Sequence, residues 1–246
     1  NRYNKYMEVI MQIEIWFDFS CPFCYIGKTR FEKALNKFKH KDQVKVIYRS
    51  YLLNPLFENK DNINIYEYLA LEKSTTIDQA KRLYELPKKM ALETGLEYNL
   101  DKMIPANSRL AHVITKLCED TEIQSALIND IYKAHFTDGL DIADINVLNQ
   151  IVLKYGFNSE EIESLIELKD VKNKVNRDLD LAREFGIQGV PGFVINRDYL
   201  VSGAQKEEYF LRMLNQVYSE VKVKEDVKKE ASYCVGDHCH NAKIKV

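Results

Sequence analysis

The chain has 246 residues, 46% of them hydrophobic, with 35 Lys and Arg against 37 Asp and Glu. That is enough apolar material for one large or two small domains, and a formal charge of -2 supplies no basic field for nucleic acid. Residues 1–12 hold no apolar run of the length of a signal-peptide core or a membrane span. We therefore expect a cytoplasmic protein without a membrane partner, with Met7 and Met11 as candidate natural starts.

Residues 12–19 are rich in β-formers and begin with alternation, which predicts a strand buried on both faces. After Ser20, Cys21 and Pro22 the period changes: Phe23, Ile26, Phe31, Leu35 and Phe38 recur at roughly helical spacing, and Pro22 suits a first helical turn. Residues 43–51 alternate again and predict a second strand. Strand, helix and strand in this order form a βαβ unit with parallel pairing and a right-handed crossover.

From about 63 to 185 the pattern is helical, with candidate helices over 76–94, 107–119, 122–136, 145–155 and 171–185. Pro87 predicts a kink or break in the first of these. Asp144 is a candidate N-cap, and Asn158 with Glu161 resembles a capping box. Strand character returns over 192–196 and 199–202, separated by a short turn, which predicts an antiparallel hairpin. A final helix is expected over 206–221, and the charged run 222–230 reads as helix end or solvated linker.

Five cysteines are few for a structural disulfide framework, and their placement directs attention to chemistry instead. Cys21 falls at a helix N-terminus, where unpaired amides and the helix dipole stabilise an anion. Cys24 follows one turn later, placed to attack a mixed disulfide formed at Cys21 and release the partner. Phe23 between them adds none of the positive charge that a histidine there would contribute. The same spacing would serve half a zinc site, but the body of the chain offers no second CxxC or HxxxH to complete it.

Cys118 reads as a small buried core residue. Asp18 is a candidate for influencing proton transfer at Cys24, beside the simpler role of satisfying a turn. Pro191, heading a strand after β-branched Val190, is compatible with a cis peptide, although a trans proline in a loop is the more common outcome. Three readings of Cys234 and Cys239 remain open: a second redox pair, a metal site with His238 or His240, and a tail without defined chemistry.

The segments 19–27, 189–193 and 201–205, with the long helical stretch between them, resemble the DsbA-like thioredoxin family. The branch is the FrnE-like one, related to 2-hydroxychromene-2-carboxylate isomerases and kappa-class glutathione transferases, and the resemblance covers about 12–221. It implies an α/β, thioredoxin-like fold with a large helical insertion, divided as 12–62 plus 171–221, an insertion over 63–170 and a cysteine-containing tail over 222–246. It further implies that Pro191 is cis and faces Cys21 and Cys24, with Val190 offering its backbone to substrate. Pro22 and Phe23 are candidate substrate contacts, and Asn107, Arg109 and His112 match polar residues that the family places near its cleft.

The expected function is dithiol/disulfide exchange on protein or small-molecule disulfides, requiring no cofactor beyond the redox-active disulfide. Glutathione is a candidate co-substrate. The alternative is a glutathione-dependent isomerase or transferase, whose relatives carry serine at the position of Cys21.

Overall fold

A computed structural model describes residues 9–118 and 120–232. Its centre is a four-stranded sheet in the order β2-β1-β3-β4, made by β1 (Met11–Phe17), β2 (Val44–Ser50), β3 (Gly192–Ile195) and β4 (Tyr199–Ser202). β1 pairs parallel with β2 from Met11↔Val44 to Phe17↔Ser50, as the βαβ reading requires. β3 runs antiparallel to β1, from Ile13↔Ile195 to Trp16↔Gly192, and pairs antiparallel with β4. In the hairpin turn Asn196 and Arg197 both adopt positive φ.

β1 is the central strand and, apart from Gln12, is buried along its length. Glu14 on this strand is 1% exposed and is neutralised by Arg49 Nη2 at 2.6 Å and Arg197 Nε at 3.2 Å. A second buried carboxylate, Asp178, takes Arg49 Nη1 at 3.0 Å, Lys116 Nζ at 2.5 Å and the Ser50 amide at 2.8 Å. These pairings remove most of the cost of placing charge beside the sheet.

Helix α1 (Pro22–Lys37) and the last helix, α9 (Glu207–Ser232), pack against each other over the sheet. Phe31, Phe193 and Phe210 bring α1, β3 and α9 together with ring centroids 4.7–5.6 Å apart. α9 continues to Ser232, so 222–230 is helix rather than linker; Lys and Glu propagate a helix once its apolar first half is docked.

Between the two halves of the sheet lie α2 (Ile65–Glu72), α3 (Ile77–Thr94), α4 (Arg109–Thr115), α5 (Thr121–Lys133), α6 (Ile145–Val152), α7 (Ser159–Ile166) and α8 (Lys169–Glu184). α2 and α7, of 8 residues each, were not among the candidate helices, although Asn158, read as a cap, directly precedes α7. The helix expected over 107–119 covers Arg109–Thr115, because Asn107 and Ser108 have their side chains engaged outside it. The segment expected over 122–136 starts one residue earlier, after Asp120 as N-cap, and widens into a π-helix over Ala134–Asp138. Asp144 caps α6 by accepting from the Asn146 amide.

Pro87 does not end α3, which runs as one helix from a Thr76–Gln79 capping box to Gly95 in the left-handed conformation. The cost of its missing donor is borne because Pro87 is buried on the inner face, beside the cleft described below. Lys28 of α1 is also fully buried; its ammonium meets Glu32, Ser125 and Asn129 and so joins α1 to α5. No helix among the described residues is long and apolar enough to cross a membrane.

Candidate active site

The Cys21–Cys24 segment sits where β1 turns into α1. The Cys21 amide donates to Asp18 O at 3.1 Å, Cys21 is the N-cap with φ -91° and ψ 113°, and Pro22 opens the helix. The Cys24 amide donates back to Cys21 O at 3.1 Å. Both thiols are free; Cys21 is 5% exposed and Cys24 fully buried.

Cys21 Sγ donates to Val190 O at 3.6 Å, and the Val190–Pro191 bond is cis. The loop implied as a substrate platform is therefore against the first cysteine. Close approach is possible because residue 27 is glycine: a Cβ there would lie 2.8 Å from Pro191 Cγ and 3.3 Å from Ala204 Cα.

Burial pushes the Cys24 thiol well above its usual range, and its hydrogen bond with Cys21 and the charge of that neighbour push it the same way, against the Asp18 backbone hydrogen bond. At neutral pH Cys24 is a thiol held one turn behind Cys21, suited to waiting and then resolving rather than attacking first.

The turn before Cys21 is held by contacts from far along the chain. Asp18, 1% exposed, accepts from the Ser20 amide at 3.1 Å, the Leu53 amide at 2.6 Å and the Ser108 hydroxyl at 2.5 Å. Burial alone would raise the Asp18 carboxyl; the neighbouring His112, the Leu53 amide and the Ser108 hydroxyl more than reverse it and hold the group ionised. Its geometry is that of a turn anchor, and its charge adds to what keeps Cys24 protonated.

His112 Nε2 lies 3.8 Å from Asp18 Oδ1, too far for a hydrogen bond, with the ring between Phe17 and Phe19 at 5.0 and 4.8 Å. Burial lowers its pKa against the opposing attraction of Asp18. Two tyrosines pin the motif itself: Tyr98 donates to Pro22 O at 2.6 Å and Tyr132 to Asp18 O at 3.1 Å. In sequence these read as packing residues. The available signal was a hydroxyl on a ring at a core position, since buried tyrosines find a polar partner.

A cleft of about 520 Å³ opens beside Cys21. Pro22 and Phe23 line it together with Leu53, Phe57, Ile65 and Tyr84. Asn107 and Arg109 do not line it. Asn107 Nδ2 donates to Pro55 O and Phe57 O, and its Oδ1 accepts from the Arg109 amide, so it ties the loop that follows β2. Arg109 Nη1 reaches Asn176 Oδ1 at 3.2 Å and borders a separate pocket with Asn107. Ser108 is the N-cap of α4, so Asn107 sits in the preceding loop and Arg109 opens the helix, and the two flank the residue that reaches Asp18.

Cys118 is 7% exposed and its thiol donates to Asp120 O at 3.4 Å, a core cysteine whose pKa burial raises. Trp16 is likewise core, with Nε1 donating to Asp178 O. Among the described residues no group of three or more His, Cys, Asp or Glu side chains could hold a metal ion. The readings of Cys234, His238, Cys239 and His240 lie outside the described residues.

Residues 12–215 match the family model of the DSBA-like thioredoxin domain. A solved structure described as a probable DsbA oxidoreductase from Streptomyces coelicolor is 32% identical, with 85% of this chain and 91% of that one covered and a TM-score of 0.79. The protein YwbO of Bacillus subtilis (strain 168) is 24% identical over 208 residues, which are 83% of this chain and 96% of that protein. A 2-hydroxychromene-2-carboxylate isomerase structure shares the fold at 14% identity, covering 88% of this chain and 98% of its own, with a TM-score of 0.62.

Proposed function

The chain belongs to the family of DSBA-like thioredoxin domains, and from that premise we propose that it is a thiol-disulfide oxidoreductase in which Cys21 attacks and Cys24 resolves. The observation that carries this reading is the asymmetry of the pair. Cys21 caps α1 at the mouth of a cleft, whereas Cys24 is sealed beneath it with its pKa raised.

In the reducing direction, the Cys21 thiolate attacks one sulfur of a substrate disulfide. A Cys21–substrate disulfide forms, the substrate S–S bond breaks, and the departing sulfur leaves as a thiolate that takes a proton. Cys24 then loses its proton and attacks Cys21 Sγ, forming the Cys21–Cys24 disulfide and releasing the second substrate thiol. The pair is oxidised by two electrons and the substrate reduced by two; the oxidising direction is the reverse. Val190 and Pro191 border the site of attack, and the helices over 63–170 limit which partners reach it. A cytoplasmic setting and a protein or small-molecule disulfide as substrate complete the proposal.

The test uses Cys24→Ser and Cys21→Ser proteins with a disulfide-containing protein substrate. Cys24→Ser should stall as a mixed disulfide mapped to Cys21, and Cys21→Ser should form none. Multiple turnover by Cys24→Ser in glutathione-dependent isomerisation would favour the isomerase alternative instead.

A further inference from the structure

Cys21 opens on a space whose chemistry is uneven. Its walls are mostly apolar, with Leu53, Phe57, Ile65 and Pro87 among them, and the ionisable residues of ordinary charge on the lining are one acid, Glu72, and one base, Lys73. Glu72 already accepts from Asn54 Nδ2 at 2.9 Å.

Two polar groups in this lining are free to meet a ligand, and one of them is fully buried without a partner. Tyr84 lines the cleft, and its hydroxyl, without a hydrogen bond among the described residues, is open rather than sealed. His135, fully buried, has neither Nδ1 nor Nε2 hydrogen-bonded. His135 sits in the π-helical turn that ends α5, and such turns recur where a side chain is turned into a site. A buried polar group left without a partner costs about 1–3 kcal/mol, so His135 calls for a ligand that satisfies it, with the Tyr84 hydroxyl on the same cleft as a second hydrogen-bonding group.

We propose, resting on the dithiol reading above, that this cleft binds a low-molecular-weight thiol or disulfide with an uncharged, largely apolar body. Tyr84 and His135 hold a carbonyl or amide group of that ligand while its sulfur meets Cys21. The volume of about 520 Å³ falls within the range of about 300–1,000 Å³ usual for small-molecule sites. His135 is neutral through the physiological range, since burial pushes it down to about 4, and so offers one donor and one acceptor rather than a charge. The same lining disfavours glutathione, whose two carboxylates and ammonium would be desolvated against a single base and an acid already engaged.

The experiment follows mixed-disulfide formation in the full-length Cys24→Ser protein, with the Cys21→Ser/Cys24→Ser protein subtracting reaction at other cysteines. Three probes share one leaving group, 2-thiopyridine, whose release is read by absorbance: 4-acetamidobenzyl, benzyl and glutathionyl 2-pyridyl disulfides. In each reaction Cys21 forms a new S–S bond to the carried sulfur as the old S–S bond breaks, and 2-thiopyridine leaves with the proton. Rates are divided by those of a free small thiol.

We expect the acetamidobenzyl probe to exceed the glutathionyl probe by at least about tenfold and the benzyl probe by about fivefold, the worth of roughly one neutral hydrogen bond. Tyr84→Phe and His135→Phe should each bring the acetamidobenzyl-to-benzyl ratio toward one. A glutathionyl rate equal to or above the acetamidobenzyl rate would overturn the proposal. So would an acetamidobenzyl-to-benzyl ratio unmoved by Tyr84→Phe, a substitution that keeps the ring and the packing even if His135→Phe fails to fold. If Cys21 reacts with none of the probes, the fault lies with the dithiol reading itself.

Discussion

Replacing Gly27 by alanine tests whether the loop at Pro191 is held against the cysteine pair by packing. The added Cβ would sit 2.8 Å from Pro191 Cγ and 3.3 Å from Ala204 Cα, where ordinary contact begins at 3.4 Å, so one wall must retreat by 3.4 − 2.8 = 0.6 Å. Ala204 meets it with backbone, and Pro191 is a buried ring, so neither can swing aside as a long side chain would. Overpacking of this kind costs about 1–3 kcal/mol, while exchanging glycine for alanine inside a helix returns about 1 kcal/mol.

The expected net effect is a destabilisation of about 0–2 kcal/mol, read from urea unfolding midpoints at constant slope. The larger effect falls on exchange: moving Pro191 and Val190 O relative to Cys21 Sγ by that amount should slow mixed-disulfide formation about tenfold, given that misplacements near 1 Å cost about a hundredfold. A Gly27→Ala protein that is more stable and exchanges at the wild-type rate would refute the close approach as a positioning device.

At acid pH, His135 makes the protein labile. Its folded-state pKa of about 4 lies below the ordinary 6.5, so between these values the unfolded chain takes up a proton that the folded protein refuses, and stability falls as pH drops through that window. The loss approaches about 3 kcal/mol, and a folded His135→Phe protein should lack that part of the acid sensitivity; equal slopes of stability against pH for the two proteins would contradict it. Asp178→Ala leaves Arg49, Lys116 and the Ser50 amide without their shared carboxylate and should cost about 3–5 kcal/mol in urea unfolding. A loss under about 1 kcal/mol would mean that this network contributes little. With iodoacetamide at pH 7, Cys21 should be alkylated at least about tenfold faster than Cys24, because Cys24 is sealed and its pKa raised. Mapping that found equal rates would remove the asymmetry on which the roles rest.

What the sequence disclosed follows from how far each contact reaches. The β1–α1–β2 unit, the position of Cys21 at its turn and the hairpin over 192–202 are written in local periodicity and in Pro and Cys spacing, and the structure has them. The cis Val190–Pro191 bond was implied by family resemblance and is present. The partners of Asp18 were not legible, because Ser108 and Leu53 come from 90 and 35 residues away. Tyr98 and Tyr132 likewise cross 76 and 114 residues to reach the motif. Asn107 and Arg109 illustrate the opposite failure: adjacent in sequence to Ser108, they turn to the loop after β2 and to Asn176 of α8, while the Ser108 hydroxyl reaches Asp18. Tyr84 and His135 carried no pattern at all, since a polar group facing a cleft is visible only once its surroundings are built.

The most direct test of the central claim is to equilibrate the protein in glutathione buffers of graded ratio and quantify the Cys21–Cys24 disulfide by peptide mapping. The account predicts a reversible two-electron transition confined to these two sulfurs, with a midpoint placing the pair between a reductase near about -270 mV and an oxidant near about -120 mV. If no Cys21–Cys24 disulfide forms at any ratio, the dithiol mechanism is wrong.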